Sequence, residues 1–146
     1  MNKLNLLSFK PINTDFGLLL VRLIIGVLMA FYGYEKLIHF DEMSHSDFWA
    51  KNVSFLGMNG SFPLALTIFA ELFCSLLLVL GLFTRLSLIP LLFTMAYIFL
   101  VIFPFSILNK GDNGYEFNTP FVYFIIYLGL FFTGPGKYSL DAKIFK

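Results

Sequence analysis

Four long apolar runs alternate with short polar stretches along the chain. A bilayer core about 30 Å thick is crossed by about 20 apolar residues in a helix. Phe16–Tyr34 is the first run of that kind, broken only by Arg22. Phe62–Phe83 is the second, with Ser61 as its expected N-cap, Pro63 in its first turn and a single acid, Glu71. Leu86–Leu108 is the third, with Pro90 and Pro104 placed to kink it near its two ends. Thr119–Thr133 is the fourth. It is short, so it is expected to reach back through Phe117 or Tyr115, giving a span of about 117–133. The runs are continuous rather than alternating, and four strands cannot close a barrel in lipid. The expected fold is therefore all-α: a polytopic membrane four-helix bundle, with residues 1–146 as a single domain.

The gaps add detail. Only Thr84 and Arg85 separate the second and third runs, which predicts a tight antiparallel hairpin. In the longer gap, His39–Gly60, the spacing over Ser46–Leu56 puts Phe48, Trp49, Val53 and Leu56 on one helical face. That predicts a short helix at the membrane interface, with Trp49 in the aromatic belt. The last gap contains Lys110-Gly111-Asp112-Asn113-Gly114, which is strong turn chemistry.

Composition agrees with the pattern. The 146 residues are 58% hydrophobic and 19% aromatic, and 13% are charged. That charged fraction is about half the share usual in a soluble domain, and the mean hydropathy is +0.82. Disorder, a soluble nucleic-acid binder and a disulfide scaffold are excluded; Cys74 is the single cysteine. Charge is distributed unevenly. With four crossings, one side carries Lys3, Lys10, Arg85, Lys137, Lys143 and Lys146, with Arg22 leaning toward it. The other carries Lys36, Lys51 and Lys110 among Glu35, Asp41, Glu42, Asp47, Asp112 and Glu116. Basic residues stay cytoplasmic, so both termini are expected in the cytoplasm, with the chain in the inner membrane and the bilayer as its first partner.

Few residues can carry chemistry. An ionisable group inside a span is costly and faces a partner, a cavity or the bundle interior. Glu71 lies nine residues past Phe62, about 13 Å along the helix. It could serve as an ion-pair partner, a proton acceptor, or a hydrogen-bond acceptor for a polar ligand. Side chains lean toward the N-terminus of their own helix. Lys36, just past the first run, therefore leans inward while Glu71 leans outward, and the two heads converge. Tyr32 offers a hydroxyl nearby. Arg22 lies about two turns inside the terminal side, where snorkelling is its simplest role. Asp141 or Asp15 is expected to neutralise Arg22 or Arg85. His39 and His45, six apart, match no zinc pattern, so no metal site is expected. No phosphate-cradling loop or nucleophile elbow is present. The candidate ligand-binding residues are thus Glu71, Lys36, Tyr32, Arg22 and Arg85, and no catalytic residue is identified.

Three motifs together resemble the DoxX family. The first is RLIIGVLMAFYGYEKL, with Arg22, Gly26, Gly33, Lys36 and Leu37 in the family's places. The second is AELFCSLLLVLGLFTRLS, with Glu71, Gly81, Thr84 and Arg85. The third is the closing GPGKYSLD of Gly134–Asp141. The resemblance runs from Phe16 to Asp141. Many members carry a histidine or asparagine near the outer end of the third span, then a glycine-rich loop. This chain has Asn109, Gly111 and Glu116 there and no histidine. The resemblance implies a four-helix inner-membrane protein. Some relatives are membrane subunits of thiosulfate:quinone oxidoreductases, and others resemble partners of thiol and superoxide defence enzymes. Two functions follow. One is a membrane subunit of a redox system, with a quinone as candidate ligand, a partner oxidoreductase subunit supplying electrons, and a homo-oligomer as a further arrangement. The other is a non-catalytic membrane adaptor or assembly protein.

Overall fold

The computed structural model describes residues 9–103, 107–111 and 114–145. The first helix, Thr14–Ile38, is opened by Asn13, whose side chain accepts the Phe16 N–H at 3.0 Å. It runs a full turn beyond Tyr34, because Glu35, Lys36, Leu37 and Ile38 offer nothing that breaks a helix. Lys36 therefore sits on the helix and not past it.

The second long helix is Ser61–Leu80. Its cap is Gly60, at φ 72°, with Ser61 as the first helical residue. A positive φ is cheap only for glycine, and it lets the Gly60 N–H reach the Trp49 carbonyl at 3.0 Å. The helix widens to π geometry over Phe69–Cys74. It stops at Gly81, at φ 69°, where the N–H groups of Gly81 and Leu82 bond the carbonyls of Leu78 and Leu77. This is a glycine stop of the Schellman type.

The third long helix is Thr84–Ile102, with Pro90 inside it and π geometry over Ile98–Ile102. The tight connection is therefore Gly81–Phe83, and Thr84 and Arg85 belong to the next helix's first turn. The helix ends short of Leu108, which instead starts β3. Strand β3 (Leu108–Gly111) pairs antiparallel with β4 (Gly114–Phe117), Gly111 opposite Gly114. The predicted turn falls between these strands; its centre, Asp112 and Asn113, lies outside the described residues, as do Lys3, Pro104 and Lys146.

The fourth long helix begins only at Thr119, where Asn118 caps the Phe121 N–H at 3.3 Å and Pro120 occupies the first turn. The expected extension back through Phe117 or Tyr115 is overturned, since both residues pair in the hairpin. Fifteen residues (Thr119–Thr133) remain, about 22 Å of helix against a core of about 30 Å. Among the described residues, three helices are long and apolar enough to cross a membrane.

The His39–Gly60 connection also departs from expectation. It contains a short helix Phe40–Ser44, a single π turn Phe48–Asn52, and a small hairpin of β1 (Ser54–Phe55) with β2 (Met58–Asn59). A helix through Leu56 is prevented by the hairpin's turn, where Leu56 and Gly57 both have positive φ. Trp49 and Val53 turn inward and pack with Leu64 and Ile68, so Trp49 is buried instead of lying in an aromatic belt. Phe48 and Leu56 face outward.

The main core gathers Ile25, Met29, Cys74, Leu78, Leu88, Tyr127 and their neighbours between the four long helices. The outward faces keep large apolar side chains exposed, among them Ile24, Phe31, Phe73, Leu76, Ile89 and Phe132. A continuous apolar exterior is what hydrocarbon solvates. Gly26 and Gly33 set how closely the first two helices approach. A Cβ on Gly33 would lie 2.6 Å from the Leu72 backbone nitrogen, and one on Gly26 3.2 Å from the Ser75 carbonyl. Small residues at such crossings let membrane helices touch backbone to backbone.

Candidate functional site

That close approach places Glu71 beside the first helix. Met29, Tyr32 and Lys36 lie on one face of it, three and then four residues apart. Lys36 Nζ forms a salt bridge with Glu71 Oε2; the Glu71 side chain is only 3% exposed, that of Lys36 19%. Lys36 Nζ also sits 5.8 Å from the centre of the Tyr32 ring, within reach of a cation–π attraction. These groups line a cavity of about 260 Å³ to which all four long helices contribute: Met29, Tyr32 and Lys36 from the first, Glu71 from the second, Met95 and Ile98 from the third, and Thr119, Pro120 and Tyr123 from the fourth. A second, more open hollow of about 520 Å³ continues past Tyr32 and Lys36 to Glu35, His39 and Glu42. The buried pair is thus reached from the end of the bundle that carries the long connections.

The pair has spare bonding capacity. An ammonium has three donors and a carboxylate two acceptor oxygens, and the salt bridge engages one of each. A polar group entering the cavity can accept from Lys36 and donate to Glu71 at once. With water largely excluded, such bonds are stronger than in solution. His39 and His45 do not converge on the pair, because their Nδ1 atoms donate to the carbonyls of Glu35 and Asp41.

Arg22 and Arg85 lie at the other end, with the termini. Arg22 is 1% exposed. Its guanidinium donates to the carbonyls of Pro135 and Tyr138 at 2.6 and 2.7 Å. Arg85 is exposed and reaches the Phe131 carbonyl at 3.3 Å. The direct ion pair expected of Arg22 or Arg85 with Asp141 or Asp15 is not formed among the described residues; Asp141 acts on Arg22 only through the field of its nearby charge. Asp141 instead accepts the N–H groups of Phe83 and Thr84 at 2.7 and 2.8 Å, capping the third helix from 57 residues downstream. Asp15 accepts the Lys137 N–H at 2.9 Å and lies 3.6 Å from Lys137 Nζ. Asp141 goes to helix-end amides, which have no other partner, and Asp15 to an amide of the tail, while the planar guanidinium fork suits two convergent carbonyls. Arg22 is therefore buried and clamped, with no freedom to snorkel.

The structure brings Glu71, Lys36 and Tyr32 together and separates them from Arg22 and Arg85. The sequence-based candidate set omitted Met29, Met95, Ile98, Thr119 and Pro120. Met29 could have been read from its spacing to Tyr32 and Lys36. The third- and fourth-helix residues carry no such signal, because their inward faces depend on the packing angle.

Comparison with known proteins bears on the same residues. The profile of the DoxX family matches residues 17–104, which covers the first three long helices and both members of the pair. An uncharacterized protein of Haemophilus influenzae is 28% identical over 152 residues, covering 97% of this chain and 98% of the relative. No solved structure matches the chain.

Proposed function

The chain belongs to the DoxX family, and we propose that it is an integral membrane subunit of a redox system whose Glu71 pocket receives the polar head of a small ligand, a quinone in the reading that the family resemblance favours. A partner oxidoreductase docks on the chain and supplies the electrons. Lys36 donates to a carbonyl oxygen of the oxidised head, and Glu71 accepts from a hydroxyl of the reduced one. Two electrons from the partner and two protons interconvert these forms. The observation that carries this reading is the buried Lys36–Glu71 pair lining a cavity. A membrane helix that only needed packing would not keep a carboxylate there at such cost.

Titration of the purified protein in lipid nanodiscs with a short-chain ubiquinone tests it. Wild type should bind saturably. Glu71→Gln and Lys36→Met should each weaken binding at least about tenfold, and the double variant little more than either, since the two act as one unit. Wild-type-like binding by Glu71→Gln would remove the pair from the ligand site.

One observation favours a non-catalytic adaptor: Lys36 and Glu71 already neutralise each other and join the first two long helices. In that case both variants lose stability and no quinone binds. The charge bias further supports an inner-membrane orientation with both termini cytoplasmic. Reporter fusions at Lys10 and Lys146 should then report cytoplasm, and one at Lys110 the opposite side.

A further inference from the structure

A second cavity adjoins the Glu71 pocket and has the opposite character. It lies between the second and third long helices under the β1–β2 hairpin, with a volume of about 310 Å³. That reaches the lower end of the range for small-molecule pockets, roughly 300–1,000 Å³. Its lining is almost wholly apolar, and two of its hydroxyls are already engaged. Thr67 donates to the Pro63 carbonyl at 2.9 Å, and Tyr97 to the Ser54 carbonyl at 2.5 Å. Ile98 lines both cavities, and Ala70 on the wall of the second precedes Glu71 in the chain. The polar and apolar spaces are therefore neighbours, with Ile98 on the wall of both.

The shape follows from particular residues. Ala70, Thr67 and Thr94 are short where longer side chains would close the gap. The π turns at Phe69–Cys74 and Ile98–Ile102 both fall along this wall; π turns are frequent at functional sites. Phe55 packs edge-on against Phe93 at 5.6 Å and against Tyr97 at 6.3 Å, so the hairpin is fastened over the cavity's top. Its rim includes Leu66, Phe69 and Phe93, which are exposed on the bundle's apolar exterior. The open direction is thus sideways, toward lipid.

We propose that this lateral cavity holds the hydrocarbon tail of the same amphiphile whose polar head occupies the Glu71 pocket. The ligand then arrives from the bilayer between the second and third long helices, not from water. This rests on the head-group reading above. A tail fits for two reasons: the lining offers a polar group almost nothing, and the head pocket is a side chain's width away.

The test compares a benzoquinone head with and without a ten-carbon alkyl tail, 2,3-dimethoxy-5-methyl-benzoquinone and its decyl derivative, on nanodisc-embedded protein. The tail should tighten binding to wild type by about tenfold or more, beyond the partition of each probe into empty nanodiscs, the order expected from burying two or three methylene groups. Ala70→Phe and Thr94→Phe, which fill the cavity, should each remove that gain while leaving the tailless probe unchanged. Equal binding of both probes to wild type would overturn the proposal without any variant having to fold. So would a tail gain that survives in a folded cavity-filling variant. If neither probe binds wild type, the quinone reading fails, and mass spectrometry of co-purified lipid decides the cavity. Another single-tailed amphiphile lost from both the cavity-filling and the Glu71→Gln variants supports the proposal. A phospholipid lost from the cavity-filling variants alone overturns it in favour of a structural lipid.

Discussion

The two ends of the bundle each bury a cation from the first helix, Lys36 at one and Arg22 at the other, fourteen residues apart. At the loop end the ammonium meets a carboxylate beside a cavity, and both groups keep unused bonding capacity. At the terminal end the guanidinium meets two backbone carbonyls of the tail, and the tail folds over it. A buried charge in a membrane helix is therefore not by itself a ligand site. What separates the site from the clamp here is that tail carbonyls take Nη1 and Nη2 of the guanidinium and leave only Nε without a partner, whereas the ammonium and its carboxylate line a cavity.

The comparison breaks first at Arg22. Arg22→Met should cost about 3 kcal/mol or more, because two charge-assisted bonds vanish and two enclosed carbonyls lose their donor. Unfolding in detergent and proteolysis of the released tail after Thr133 should both report it. A wild-type melt would show that the tail is held by something else. Gly81→Val should act in the same direction, since its Cβ would lie 2.6 Å from Ser139 Cβ and 2.7 Å from the Arg22 guanidinium at a positive φ.

Glu71→Gln comes next, at about 2 kcal/mol in the same melts, because it leaves Lys36 partly buried without its counter-charge. Its signature is the contrast with Arg22→Met: the tail stays protected while ligand binding falls. A double-mutant cycle with Lys36→Met should give a coupling of about 1–3 kcal/mol; zero coupling would dissolve the pair as a unit.

Asp141→Ala should cost about 1 kcal/mol, the scale of a helix N-cap. Hydrogen exchange should accelerate at Phe83 and Thr84 and leave the Glu71 pocket unaltered. Smallest is Lys51→Ala. Its pairing with Asp47 is four residues apart on the surface, with both side chains largely exposed, so the melt should move by less than about 0.5 kcal/mol.

The sequence carried a good deal of this. Hydrophobic runs of spanning length need only the bilayer's thickness to be interpreted, so the helical class and the positions of the four long helices were legible. The motif positions were legible too, since Arg22, Gly33, Glu71, Gly81 and Asp141 all prove to have defined work. Their partners were less so. Lys36 and Glu71 could be brought together because two antiparallel neighbours and the lean of side chains on a helix suffice to place them. The direct ion pairs expected of Asp15 and Asp141 with the arginines are not formed. Opposite charge was the only signal available, while the true partners were backbone amides and carbonyls, which every residue carries and no sequence marks.

Element ends show the same limit. Tyr115 and Phe117 are apolar enough to lengthen the fourth helix, yet they pair with Lys110 and Leu108 in a hairpin. A strand's partner lies elsewhere in the chain, whereas a helix's partners are four residues away. By itself the sequence determined that this chain is a helical membrane bundle with one acid and one arginine inside its spans, because burial in lipid is a local property of composition and period. Only the tertiary structure decided that Arg22 is laced by carbonyls of the tail and that Asp141 caps the third helix. It alone also set two cavities against one another around Ile98. Those outcomes depend on helix crossing distances, set by Gly26 and Gly33 across the first interface and by π turns along the second, and such distances emerge only when all the helices are packed at once.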